Sequence, residues 1–475
     1  MARYMLIFSD SEIERIYAGA RRVVGNVGFR VQHRPILERL EALGARVDYP
    51  GQIFWPSPQM LDAVGECARR HAPRQLDPAP LRRLPPAGEH LTFNGTLYYD
   101  WAEGEQRPAT LRDVQDMLRL CHVLPEVSAL GPTMTAQDVA APIEPMASLA
   151  EAIALTDKPI TGVETILASQ IPYLEELDSI ATEQPVRYRD GGAAINRLTL
   201  DERAAECLYA LSQRHGLASW VTSSCPVAGA SAPVTLAGSV VVAVAETIGS
   251  WLAGWALNQD VSLGAIPCSG VMDMRTTRVL FSTPEAVLID AGLYQVLDRL
   301  FGVQTGMLAD YTDAKVPGLQ AMHDKVFKSL AYYWLTGQNR RHKGMLEAGK
   351  AFSPTELIID LELNSELDRL LAGTEVDDEA LALDEIEACG LDFGKSYLDR
   401  EHTLLHFRRS VWEPRLMDRT CWEGGDAERR KEQALLRLAE ERWRDSLASY
   451  EQPYVPEEKV RAARQVVERA RRALL

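Results

Sequence analysis

The chain is short of positive charge, of cysteine and of long apolar runs, and each shortage excludes something. Its 51 Lys and Arg face 67 Asp and Glu, a net charge of −16. A sequence-independent nucleic-acid binder needs a basic surface, and docking on an anionic membrane needs basic clusters, so neither class fits. Seven cysteines (67, 121, 207, 225, 268, 389 and 421) are scattered, odd in number and without a CxxC pair. They read as reduced thiols of a cytoplasmic protein and not as a disulfide frame. The opening MARYMLIFSDSEIERI holds no apolar run long enough for a secretory signal. One segment, Val234 to Ala256, has the composition of a membrane span, but Glu246 interrupts it. A central carboxylate costs about 2.5–3.5 kcal/mol on insertion scales, so the segment reads as a buried helix of a soluble protein.

What is present is punctuation. Ser9 and Glu12 make a capping box before Ile13, Ile16, Tyr17, Ala20 and Val24, which share one helix face. A second helix follows Pro35 and stops at Gly44, and a third runs from about Ser57 to His71. Pro73 to Pro86 reads as a linker, and Asn94-Gly95 in LTFNGTLYYDW signals a hairpin. From residue 110 helices and strands alternate. A helix capped by Thr110 and Asp113 leads to VSALGP, one at Pro145–Ala154 to PITGVE, and one at Leu200–Arg214 to ASWVTSSCP. The apolar helix leads to VSLGAIPCSG, a helix at Pro284–Leu300 to FGVQTGMLAD, and one at Pro317–Leu335 toward Gly337. Such alternation predicts an α/β fold with a parallel sheet, and the lack of a Gly-rich dinucleotide turn favours a closed (β/α)8 TIM barrel. The expected division is a helical N-terminal region (1–90), a TIM-barrel catalytic domain (91–410) and a C-terminal helical extension (411–475).

The motifs GxGxxG, GxxxxGK[ST], GxSxG and HExxH are absent. His402 and His406 stand four apart, but Thr-Leu-Leu between them supplies no base, and no cysteine grouping has zinc spacing, so no metal is expected. In a barrel, function sits at the C-terminal ends of the strands. Those ends carry Ser223-Ser224, the run Ser269 to Arg275, the run Asp310 to Lys315, and Asn339 to His342.

Longer stretches resemble a known family. GASAPVTLAGSVVVAVAETIGSW, SGVMDMRT, FSTPEAVLIDAG and TDAK are similar to the trimethylamine methyltransferase superfamily, as are SEIERIYAGARRVVGNVGFRV, RPATLRDVQDMLRLCHVL and HFRRSVWEPRLMDR. The resemblance covers nearly the whole chain in order. It implies a TIM barrel with a helical N-terminal region that passes a methyl group from an amine to a separate corrinoid protein. The chain itself is then expected to bind no cofactor tightly, because cobalamin rides on the partner. The corrinoid signature DxHxxG is indeed absent around all nine histidines.

Leaving-group chemistry chooses within the family. Direct demethylation of a tertiary amine expels an amide anion, and the family's trimethylamine enzymes are associated with pyrrolysine as the activating electrophile. All 475 letters here are standard amino acids. A quaternary amine needs no such help, since attack on its methyl releases a neutral amine. The resemblance therefore implies a betaine-like substrate, in the manner of the non-pyrrolysine glycine betaine enzymes. Its trimethylammonium head asks for aromatic faces and diffuse negative charge. Tyr98, Tyr99, Trp101 and Tyr311 are candidates for the faces, and Asp100, Asp273, Asp310 and Asp313 for the charge. Its carboxylate asks for Arg275, Lys315 or His342. The nucleophile is the partner's Co(I), so no catalytic side chain is expected in this chain.

One stretch departs from the family. Where relatives carry a small, Gly-rich sequence, this chain reads Gly337-Gln338-Asn339-Arg340-Arg341-His342-Lys343-Gly344. At least two of the three cations are expected to face outward, with Arg340 and Lys343 toward the corrinoid partner. A homo-oligomer is expected. Two other readings stay open: a TIM-barrel enzyme on another carboxylate metabolite without cobalamin, and a non-catalytic betaine-binding module.

Overall fold

Helices start where their caps stand. The computed structural model describes residues 5–72, 90–91, 95–163, 165–182, 191–194, 197–337, 341–392 and 394–475. Ser9 and Glu12 close a reciprocal capping box on the helix Asp10–Asn26, and Thr110 and Asp113 do the same for Leu111–Val123. Ser57 caps Pro58–His71. Each cap satisfies an N–H that helix geometry leaves without a partner. The linker Pro73 to Pro86, Asn94, Asn339 and Arg340 lie outside the described residues.

The expected Asn94-Gly95 turn begins outside the described residues, and the hairpin that is described lies just after it. Gly95 bridges Met134 in parallel, while Leu97–Asp100 pairs antiparallel with Glu105–Pro108. Asp100 closes that turn by accepting the N–H groups of Ala102 and Glu103, and Gly104 supplies φ +69°.

Parallel strands form two arcs. In the first, His90–Leu91 pairs with Ala129–Leu130, and Leu130 bridges Ile160. In the second, Gly191–Ala194, Ser219–Ser224 and Ser262–Pro267 lie side by side. The helices Leu111–Val123, Glu144–Leu155, Glu202–His215 and Leu236–Leu257 fall between successive strands, so the α/β alternation and the parallel pairing are present. Among the described residues the pairings do not close into a ring. Residues 302–310, expected as a strand, run without a ladder partner. At 342–344 the backbone bonds to side chains of Asn364 and Asp360 where a barrel strand would bond its neighbour.

The apolar helix Leu236–Leu257 lies in the largest core cluster. Its Val244 and Trp251 share that cluster with Ile13, Ala20 and Leu37 of the first two helices and Phe29 of the strand between them. At Gly249 the packing is so close that a Cβ would sit 2.1 Å from the Phe29 ring. This is the one helix among the described residues long and apolar enough to cross a membrane, and 72% of its most apolar window is buried. The C-terminal helices Gly425–Ala448 and Glu457–Leu474 pack outside the first arc, with Trp443 in one cluster with Leu118 and Val466 in another with Met146.

Glu246 manages its burial by position. Its Oε1 accepts the Leu198 N–H at 3.3 Å and its Oε2 the Ser224 hydroxyl at 2.7 Å, which ties a loop to the end of a strand. Burial still pushes its pKa up to about 7. The folded chain holds that proton more tightly than the unfolded chain does. The resulting stability is present below the usual carboxylate range and is lost as pH rises through about 7. Thermal unfolding by circular dichroism between pH 6 and 8 is expected to show Tm falling more steeply in the wild type than in Glu246→Gln. Parallel curves would mean that Glu246 is already ionised throughout.

Candidate active site

One helix buries a polar face. Leu319–Thr336 buries Asp324, Lys325, Lys328, Ser329, Tyr332 and Thr336, while Leu319 and Trp334 are exposed. Lys325, Lys328, Ser329 and Tyr332 stand at i, i+3, i+4 and i+7, a single face. Burying that face is costly unless every group finds a partner.

The helix Pro354–Leu371 supplies half of the partners. Lys325 Nζ donates to Glu356 Oε1 at 2.5 Å and to both Asp360 oxygens at 2.7 Å. All three side chains are fully enclosed. One cation cannot neutralise two carboxylates, and burial pushes Glu356 up to about 8, so at neutral pH it keeps its proton. Asp360 also accepts the Gly344 N–H at 2.6 Å. Asn364 accepts the His342 N–H at 2.9 Å and donates to the His342 carbonyl at 3.0 Å. The loop after Gly337 is thereby fixed by three side-chain bonds from one helix face, Glu356, Asp360 and Asn364 being four apart.

His342 is fully buried, and its Nε2 lies 2.9 Å from the Ser329 hydroxyl. Burial and the nearby charges of Lys325, Lys328 and Arg341 hold its pKa well below the usual imidazole range. It is a neutral imidazole, and its buried Nδ1 has no protein partner. Lys328 is enclosed as well. Among the described residues its ammonium donates one hydrogen bond, to the Tyr311 carbonyl at 3.1 Å, and lies 5.8 Å from the ring centres of Tyr311 and Tyr332. Burial lowers its pKa, opposed by the carboxylates of Asp290, Asp310 and Asp313 and by Cys268. Asp290 is committed, accepting the Ser269 N–H at 2.7 Å and the Tyr332 hydroxyl at 2.8 Å. Asp310 is not: it is 2% exposed, 3.9 Å from Lys343 through Oδ2, and its Oδ1 has no partner.

The expected site residues fall into separate places. Asp310, Tyr311, His342 and Lys343 come together with the buried face. Tyr311 is half-buried, edge-on to Phe281 at 5.9 Å, and Gly349 makes room for it, since a Cβ there would lie 2.9 Å from the ring. Tyr99 and Trp101 pack beside Ala314 and Leu346, on the same loop system. Asp313 is spent as a cap, accepting the N–H groups of Phe281 and Ser282. Lys315 is exposed and donates to the Asp313 carbonyl. Tyr98 leaves the opposite face of its strand, under the Arg107 guanidinium and beside Asp113, Met117 and Trp443. Asp273 serves its own turn, accepting from Arg275 N–H and the Thr276 hydroxyl. Arg275 is exposed while His342 is enclosed and uncharged, so the two do not form a cationic pair.

Of the outward cations, Lys343 faces Asp310 and Arg341 pairs with Asp368 at 2.5 Å. His402 and His406 stack at 4.2 Å, and His406 pairs with Glu379. Among the described residues no group of three or more His, Cys, Asp and Glu is arranged to hold a metal.

Sequence reasoning missed Lys325, Lys328, Tyr332, Asp290, Glu356, Asp360 and Asn364. Their signal was nonetheless there. Glu356, Asp360 and Asn364 recur every fourth residue inside the apolar run LIIDLELN and its flank, and Lys325, Lys328, Ser329 and Tyr332 mark a helix face with no apolar character.

The comparisons agree with this chain's length and order. A family model described as trimethylamine methyltransferase matches residues 1–474. A trimethylamine methyltransferase of Desulfitobacterium hafniense is 26% identical over 435 residues, covering 88% of this chain and 84% of its own. A glycine betaine methyltransferase from another strain of that species is 24% identical over 471 residues, 94% of this chain and 93% of its own. A trimethylamine methyltransferase of Methanosarcina mazei is 29% identical over 255 residues, 53% of this chain and 49% of its own. The resemblance read from the sequence is borne out: this chain belongs to the trimethylamine methyltransferase family.

Proposed function

We propose that this chain transfers a methyl group from a betaine-type quaternary amine to the Co(I) corrinoid of a separate protein. The observation that carries the substrate class is a buried pair of opposite charges with unused bonding capacity. Lys328 has ammonium donors to spare, Asp310 has a free oxygen, and the Tyr311 ring stands beside them. A zwitterion fits such a pair: its carboxylate takes the Lys328 ammonium, and its trimethylammonium takes Asp310 and the aromatic face. The near-complete match to a glycine betaine methyltransferase supports the same reading.

The corrinoid supplies the nucleophile, and the rest falls to this chain's side chains. Loss of a methyl from a quaternary nitrogen leaves a neutral amine, so no proton has to be delivered there. A site whose imidazole is held neutral and whose nearest carboxyls are engaged or buried suits that requirement. Positioning and exclusion of water are the contributions left to make. The two arcs of parallel strands we read as parts of a (β/α)8 barrel to which residues 302–310 also belong. The long apolar helix we read as the core of a soluble, cytoplasmic enzyme. Arg340 remains a candidate for contact with the corrinoid protein, whereas Lys343 is reassigned to the substrate site.

Free Co(I) cobalamin mixed with the chain and one amine at a time provides the test, followed by the optical loss of Co(I). Methylation with glycine betaine and none with trimethylamine is expected. Robust turnover of trimethylamine would overturn the leaving-group argument, and inertness toward every quaternary amine would overturn the substrate class.

A further inference from the structure

The strand ends carry a second chemistry that methyl transfer does not use. Ser219–Ser224 and Ser262–Pro267 run parallel with Ser224 opposite Pro267. The Cys268 N–H extends the ladder onto the Ser224 carbonyl at 3.0 Å. The next residue on each strand is a cysteine, so Cys225 stands opposite Cys268. Burial alternates along both strands. Trp220, Thr222 and Ser224, with Leu263, Ala265 and Pro267, are buried, whereas Val221, Ser223 and Cys225, with Gly264, Ile266 and Cys268, are partly exposed. The two cysteines therefore leave the sheet on one accessible face. Both are free thiols and half-buried. Adjacent strands lie about 4.8 Å apart, within the roughly 4.4–6.8 Å of Cα separation that a disulfide spans.

We propose that Cys225 and Cys268 form a dithiol site that reacts with low-molecular-weight disulfides and closes to an internal disulfide. Cys225 is the attacking group. The neighbouring Cys268 thiol and the Ser223 hydroxyl at 3.6 Å favour its thiolate, whereas the Cys268 thiol is pushed the other way. Cys225 gives its proton to solvent, and its thiolate attacks one sulfur of RSSR, forming a mixed disulfide and expelling RS⁻. Cys268 passes its proton to that RS⁻ and attacks the Cys225 sulfur, expelling the second RS⁻, which is protonated by solvent. Two cysteines are oxidised and one RSSR is reduced to two RSH. The other thiols cannot imitate this pair: Cys67, Cys121, Cys207 and Cys389 are buried, and Cys421 is exposed.

Oxidised glutathione is the probe, with free thiols alkylated and unreduced peptides mapped by mass spectrometry, a readout independent of methyl transfer. The wild type should yield a Cys225–Cys268 linked peptide pair, with glutathione retained on Cys421. Cys268→Ser should retain glutathione on Cys225, because the resolving thiol is gone. Wild-type protein that keeps glutathione on Cys225 without forming the link overturns the proposal. So does wild-type protein whose Cys225 and Cys268 are both alkylated after Cys421 is fully glutathionylated.

Discussion

Lys328→Met is expected to weaken binding of glycine betaine roughly ten- to hundred-fold, the usual consequence of losing a charge-assisted hydrogen bond out of water. Choline, which has the same trimethylammonium group but no carboxylate, should lose far less. Calorimetric titration of both ligands, with Tm recorded for the variant, checks this. Equal losses for both would remove Lys328 from carboxylate recognition and leave it a purely structural cation. The wild type carries its own control. Burial lowers the Lys328 pKa, so glycine betaine affinity should decline at a pH below the ordinary lysine range. The methionine variant should show no such decline.

Lys325→Met is expected to cost about 3–5 kcal/mol of stability, because it leaves Glu356 and Asp360 enclosed without their cation. Glu356→Gln should cost little at pH 7. With its pKa pushed up to about 8, Glu356 is already protonated there, and glutamine replaces a neutral acid with a neutral amide of the same shape. Denaturant unfolding of the two variants separates the cases. A large loss in Glu356→Gln would mean that the glutamate is ionised in the folded chain and that Lys325 carries both charges. The ranking matters for the site, because Asp360 also holds the Gly344 N–H and so the loop that presents His342 and Lys343.

Local signals were legible and long-range pairings were not. The capping boxes at Ser9 and Thr110 and the buried nature of Leu236–Leu257 follow from neighbours within a few residues, and the structure has them. Strand pairing at 302–310 failed because hydrophobic character in a run does not state where its N–H groups will bond. The site was half legible. Asp310, Tyr311 and His342 were readable as polar residues at a strand end, and they lie together, whereas Lys343 was expected to face outward and instead faces Asp310. Arg275 was readable on the same grounds and does not converge, since rim position alone gives no side-chain direction. The inward lysines were passed over because charge in a helix is ordinarily a sign of its solvent face.

The helix with the buried polar face also has a place in time. An amphipathic helix of ordinary polarity can join a collapsing chain as soon as its apolar stripe finds any apolar surface. Leu319–Thr336 sets Met322, Val326, Phe327 and Leu335 against apolar clusters, but its Lys325–Tyr332 face stays solvated until Glu356, Asp360 and Asp290 are in place to receive it. Early, nonspecific docking of that face would strip water from two ammonium groups with nothing in return. That face can therefore be seated only together with Pro354–Leu371. The residues we assign to substrate recognition are then among the last to be assembled.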